Sequence, residues 1–191
     1  MIAWRGYGPK LRNRKKTDIG NNLVQKQAIV ALLAIGVATL GAIATPACAE
    51  EPDFISISAG VFDINDTATT AEFRVEYRSD LRFWHWTPFV GLMGTADSAL
   101  YGYAGLGFEL FFGPRVVITP NAAFGAYADG DGKDLGSTIE FRTGLELAYR
   151  FDDYSRLGLA FHHISNASID ENNPGTESLV LTYSIPLYKF Y

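Results

Sequence analysis

The stretch Ser137-Thr138-Ile139-Glu140-Phe141-Arg142-Thr143-Gly144-Leu145-Glu146-Leu147-Ala148-Tyr149-Arg150 alternates with a period of two. Ile139, Phe141, Leu145, Leu147 and Tyr149 share one parity, while Glu140, Arg142, Glu146 and Arg150 share the other. Successive side chains of a strand point to opposite faces, so this is a strand with one apolar and one charged face. Ala71 to Arg78 repeats the pattern, with Ala71, Phe73, Val75 and Tyr77 against Glu72, Arg74, Glu76 and Arg78. From residue 50 onward no segment keeps a helical period over three turns. Eight strands are expected, at 54–62, 70–78, 86–95, 98–110, 115–127, 137–150, 155–165 and 177–188. Turn-rich pieces separate them, among them Asp63-Ile64-Asn65-Asp66, Gly113-Pro114, Asp129-Gly130-Asp131-Gly132 and Asn172-Asn173-Pro174-Gly175. Most strands approach the ~10 residues that a tilted strand needs to cross a bilayer.

The first 49 residues are unlike the rest. They hold seven Lys or Arg and one acid, an apolar run from Ala28 to Ala44, and Ala47-Cys48-Ala49. A basic start, a short apolar core and an A-x-A site describe a secretory signal peptide, so residues 1–49 are expected to be removed on export. The alternative, a membrane anchor, wants ~20 apolar residues in a row. Residues 50–191 then form one domain with nine Lys or Arg against twenty Asp or Glu, a formal charge of −11. Nucleic-acid binding needs basic surface, so that partner class is excluded. Cys48, the sole cysteine, leaves with the signal. The mature domain is therefore expected to hold together without disulfides.

Soluble eight-stranded barrels also alternate, with apolar residues inside. Export, abundant aromatics near the strand ends and the form of the last strand favour the inverse arrangement. Trp84, Trp86, Tyr101, Tyr103, Phe111, Phe112, Tyr188 and Phe190 are placed as an interfacial girdle would be. Leu179, Leu181, Tyr183, Ile185 and Leu187 share a face before the aromatic end at Tyr191, although Lys189 breaks the alternation. The expected fold is all-β, an eight-stranded antiparallel transmembrane β-barrel in the outer membrane of a Gram-negative bacterium. With both ends of the barrel in the periplasm, the long connections 63–69, 128–136 and 166–176 lie outside. Turns at Gly113-Pro114 and Asp152-Asp153 lie on the periplasmic side. Side chains fill the interior of so small a barrel, so a pore is not expected. The charged residues of the two alternating strands are read as a lumenal network.

The chemistry concentrates in Phe161-His162-His163-Ile164-Ser165-Asn166-Ala167 and Asn173-Pro174-Gly175-Thr176-Glu177. His163 and Ser165 share the parity of Leu157, Leu159 and Phe161; Glu177 shares that of Leu179 and Leu181. All three thus lie on the lipid-facing side of neighbouring antiparallel strands, where polar groups are costly and call for a reason. A serine hydroxyl is a weak nucleophile that needs a base within reach. Residues i and i+2 of a strand lie ~6.5–7 Å apart with side chains on one face. His163 is therefore placed to serve Ser165, and Glu177 to fix the imidazole tautomer. Asn173 or backbone N–H groups near Ala167 are candidate oxyanion donors.

The pattern His-x-Ser-Asn-Ala followed by Asn-Pro-Gly-x-Glu, with Glu177 fourteen after His163, resembles the PagL family of lipid A 3-O-deacylases. The resemblance covers residues 161–177 by motif and the mature chain by barrel layout. It implies that His163 is the base, Ser165 the nucleophile, Glu177 the orienting acid and Asn173 part of the oxyanion hole beside Ala167, with Asn166 in support. It implies hydrolysis of the ester at the 3-position of lipid A, with no metal and no cofactor. Lipid A or lipopolysaccharide within a membrane is the expected partner, and a homodimer is compatible with this reading. His162 doubles the histidine, and Ser168 stands where the family carries a small residue, often glycine.

Competing readings are weaker. His162 faces the lumen and reads as a network residue, and His85, between Trp84 and Trp86, reads as interfacial. Asp129, Asp131 and Glu140 occupy positions 1, 3 and 12 of an EF-hand loop, but Lys133 spoils position 5 and Asp134 replaces the glycine at 6. Gly102, Gly105 and Gly107 sit inside a strand with no following helix, and no G-x-S-x-G elbow occurs. The alternative function is a non-enzymatic small barrel, structural or adhesive, in which residues 163, 165 and 177 would be replaceable. A membrane acyltransferase using the same three residues is a third reading.

Overall fold

The computed structural model describes residues 52–66, 68–81 and 85–187. The signal-peptide reading of residues 1–49 lies outside them, as do the aromatics Trp84, Tyr188, Phe190 and Tyr191. The described strands are β1 (Asp53–Phe62), β2 (Thr70–Arg78), β3 (Trp86–Thr95), β4 (Leu100–Phe108), β5 (Leu110–Phe112), β6 (Val116–Ala128), β7 (Ile139–Arg150), β8 (Arg156–Ser165) and β9 (Thr176–Leu187). Strands adjacent in chain order pair antiparallel, except that β4 and β5 both pair with β6 rather than with each other, and β1 pairs with β9 from Asp53↔Leu187 to Phe62↔Ser178. That last pairing closes the sheet into an up-and-down barrel and leaves no open edge among the described strands.

The expected strand 98–110 is broken into β4 and β5, and the break has a local cause. Leu100↔Ala128 and Phe112↔Val116 belong to one continuous register against β6. The gap falls where Phe108 and Glu109 would face Pro120 and Thr119. Pro120 brings no N–H to the ladder. Strand β5 is thus the continuation of β4, and the barrel has eight staves among the described residues. At the gap the Glu109 side chain turns inward, and its Oε1 accepts from Arg156 Nη1 at 2.6 Å.

The faces are those of a membrane barrel. Phe73, Leu92, Phe124, Leu147, Leu159 and Leu181 are among the apolar side chains exposed on the outside. Inside, Glu72, Arg74, Arg142, Glu146 and Arg156 are buried. Buried charges need partners. Arg78 Nη2 meets Glu146 Oε2 at 3.0 Å and Glu76 Oε1 at 3.3 Å, and Arg142 Nη2 meets Glu76 Oε2 at 3.3 Å. Arg74 pairs with Glu72. A polar cavity of about 20 Å³ lies among Ser56, Arg74, Glu76, Arg142 and His162. That is room for about one water, not a channel.

One expectation needs correction. Tyr101 and Tyr103 are not girdle residues; they are 1% and 5% exposed and point into the lumen. There Arg142 lies 4.1 Å from the centre of the Tyr103 ring, and Tyr101 donates to the Glu140 carbonyl at 2.9 Å. Their parity matches Met93 on β3, which also faces inward, so they fill the barrel rather than its rim. Trp86 and Phe112 are exposed on the outer surface, as a girdle requires. The Arg150 guanidinium stacks 4.2 Å from the Tyr154 ring near the turn that follows β7.

Candidate active site at the outer end of β8

Strands β8 and β9 form a hairpin joined by residues 166–175, at the end of the barrel opposite Asp53 and Leu187. In its register His163 stands directly across from Glu177. Both side chains face outward, and His163 Nδ1 lies 3.0 Å from Glu177 Oε1. A carboxylate can only accept, so Nδ1 carries the hydrogen and Nε2 is left with its lone pair. That is the tautomer a general base needs. The side chains are 44% and 29% exposed, which leaves the imidazole accessible from the lipid-facing surface.

Gly175 permits this closeness. Its φ is +65°, and a Cβ there would lie 3.1 Å from His163 Cε1. A mirror arrangement serves the other histidine: a Cβ on Gly144 would lie 2.3 Å from His162 Cδ2. His162 is buried in the lumen, as expected, and its Nδ1 accepts from Arg74 Nη1 at 2.9 Å. Ser178 Oγ accepts from the other arm of that guanidinium at 2.7 Å.

Ser165 ends β8 on the same face as His163 and pairs with Phe141 of β7. It is half-buried, and its hydroxyl forms no hydrogen bond among the described residues. The backbone then turns sharply, with Ala167 at φ +54° and Ser168 at φ +63°. Left-handed conformations cost side-chain-bearing residues energy and persist where surroundings over-determine them. Asn166 supplies that constraint. It is 0% exposed; its Nδ2 donates to Asn172 O at 2.7 Å and to Leu135 O at 3.2 Å, and its Oδ1 accepts from Ser168 N at 2.9 Å. The expected supporting residue is thus the hub of the loop. A glycine at 168 would adopt this φ without strain.

Asn173 joins the same loop. Its Oδ1 accepts from Asn166 N at 3.1 Å, which fixes the amide so that Nδ2 is the outward donor, 3.4 Å from Ser168 Oγ. No hydrogen bond among the described residues engages the Ala167 N–H. Two N–H donors therefore stand in one loop with Ser165.

Sequence reasoning missed two contributors. Asn65 Nδ2 donates to Glu177 Oε2 at 3.3 Å, and Ile64 N donates to the Glu177 carbonyl at 3.1 Å. Beneath them Asp63 accepts from Thr176 Oγ1 at 3.0 Å and from Lys133 Nζ at 2.6 Å. Burial disfavours the ammonium, but the hydrogen bonds and charges of Asp63 and Asp66 outweigh it and lift Lys133 above the ordinary lysine range. The Asp-Ile-Asn-Asp turn carried no signal beyond that of a loop. Among the described residues no cluster of three or more His, Cys, Asp or Glu is arranged to hold a metal.

Comparison with known proteins agrees with the motif. The chain is 38% identical over 52 residues to the lipid A deacylase PagL of Bordetella bronchiseptica, which covers 27% of this chain and 29% of that protein. It is 31% identical over 88 residues to the lipid A deacylase PagL of Pseudomonas aeruginosa, covering 46% and 49%. The matched stretch thus spans less than half the length of these curated relatives. The fold matches the crystal structure of the outer membrane enzyme PagL with a TM-score of 0.53 at 21% identity, over 70% of this chain and 99% of that one. The barrel is that of a Gram-negative outer-membrane protein. A family model described as lipid A 3-O-deacylase (PagL) matches residues 71–186, and the chain belongs to that family.

Proposed function

We propose that this chain is an outer-membrane esterase that removes the acyl chain ester-linked at the 3-position of lipid A, by a Ser165–His163–Glu177 triad. The supporting observation is the 3.0 Å contact between His163 Nδ1 and Glu177 Oε1 on the lipid-facing surface, two residues from Ser165. A polar pair on that surface is costly unless it serves chemistry. His163 Nε2 takes the Ser165 proton as Oγ attacks the ester carbonyl. The Ala167 N–H and Asn173 Nδ2 receive the oxyanion. The imidazolium then returns the proton to the leaving sugar hydroxyl, leaving an acyl-enzyme. Water, deprotonated by His163, attacks that ester; collapse frees the 3-hydroxy fatty acid and restores Ser165. The substrate is lipid A or lipopolysaccharide reached laterally from the outer leaflet, and residues 1–49 serve as the export signal.

Mass spectrometry of lipid A from outer membranes carrying wild type or Ser165→Ala tests this reading. Loss of one ester-linked 3-hydroxyacyl chain with wild type only is the expected result. Identical lipid A in both, with each barrel shown folded by heat-modifiable gel migration, would sink the esterase reading and leave a structural or adhesive barrel.

A further inference from the structure

The connection between β1 and β2 is far from the β8–β9 hairpin in sequence, yet it reaches Glu177 twice. Ile64 N holds the Glu177 backbone carbonyl at 3.1 Å, and Asn65 Nδ2 holds Oε2 of its side chain at 3.3 Å. The loop is itself anchored. Asp63 is 0% exposed at φ +58°, and it receives Thr176 Oγ1, one residue before Glu177, together with Lys133 Nζ.

The terminal torsion of a glutamate joins an sp³ to an sp² carbon and is broad. A single hydrogen bond from His163 to Oε1 leaves the carboxylate plane free to swing. At 29% exposure, water competes for both oxygens. A second donor on Oε2, carried by an independently tethered loop, fixes the plane. The donor is a neutral amide, so it orients the carboxylate without cancelling the charge that stabilises an imidazolium.

We infer that Asn65 is a positioning residue for the reaction. It holds Glu177 with Oε1 on His163 Nδ1, and through that bond it holds the imidazole toward Ser165. The inference rests on the triad reading above and adds to it a member from a different loop.

The test compares wild type, Asn65→Ala, Asn65→Asp and Ser165→Ala as full barrels in detergent micelles, with purified lipid A as substrate. Heat-modifiable migration checks that each is folded. The readouts are kcat and KM for release of the 3-hydroxy fatty acid, and the initial rate of Ser165 labelling by an alkyl fluorophosphonate. Asn65→Ala is expected to lower kcat and the labelling rate by about tenfold, the low end for one hydrogen bond to a charged group, with KM little changed. Asn65→Asp is isosteric and turns a second carboxylate toward Glu177, so its loss is expected to be at least as large. It carries the test should the alanine variant fail to fold. A kcat for Asn65→Ala or Asn65→Asp equal to wild type, or a loss confined to KM, overturns the positioning role while leaving the triad standing. A wild type no more active than Ser165→Ala overturns the triad reading, and the positioning role with it.

Discussion

Gly175 shows how much a single position decides. Its φ of +65° suits glycine, and the missing side chain leaves room for the imidazole of His163. An alanine would sit 3.1 Å from Cε1 in a conformation that L residues avoid. If His163 is the base of the proposed triad, Gly175→Ala is expected to leave the barrel folded but to slow deacylation by roughly 10–100-fold, because displacing a catalytic group by a fraction of an ångström is costly. Fatty-acid release from lipid A measures it, and a wild-type rate would show that the hairpin turn yields without moving the base. The glycine of Asn-Pro-Gly was legible as a turn. Its contact with His163 was not, since it depends on the path of the whole hairpin.

Three elements meet at Asp63. The β1–β2 connection carries it, the β6–β7 connection carries Lys133, and the first residue of β9 is Thr176. Lys133 is part-buried and Asp63 fully buried, so removing the lysine leaves a buried carboxylate without its counter-charge. Lys133→Met is therefore expected to cost about 2 kcal/mol of stability, read as a lower denaturant midpoint. The sign of its pH dependence follows from the direction of the shift. Lys133 is raised above its ordinary value of 10.5 on folding, so its stabilisation is complete below 10.5 and fades only as pH climbs through the raised value. The wild-type-to-variant difference should stay constant from neutral pH up to that range. A difference that shrinks toward neutral pH would contradict the pairing. None of this was visible in the loops as sequence, because Asp63 and Lys133 are 70 residues apart and only barrel closure places the two connections side by side.

Seen as a whole, the molecule turns the usual arrangement inside out, with ion pairs within and apolar side chains on the surface. Leu159 lies on β8 between Leu147 of β7 and Leu181 of β9, all three outward and about half exposed. Leu159→Arg is expected to destabilise the barrel by ~2–4 kcal/mol in lipid vesicles, as a cation near the bilayer midplane does. Equal stability in a reversible unfolding titration would mean that this face does not meet lipid. The period of two already determined the strand bounds to within a few residues, the inward charges and the outward His163, Ser165 and Glu177, because alternation reports the face and nothing more is needed for it. The His163–Glu177 pair was also within reach, since a hairpin makes its two strands neighbours. Contacts across the lumen or between loops were not: Glu109 with Arg156, Asn65 with Glu177, and the Tyr103 ring with Arg142. Alternation states which side a residue faces but not its height along the barrel or which distant strand it meets, and those are decided only when β1 pairs with β9 and the sheet closes.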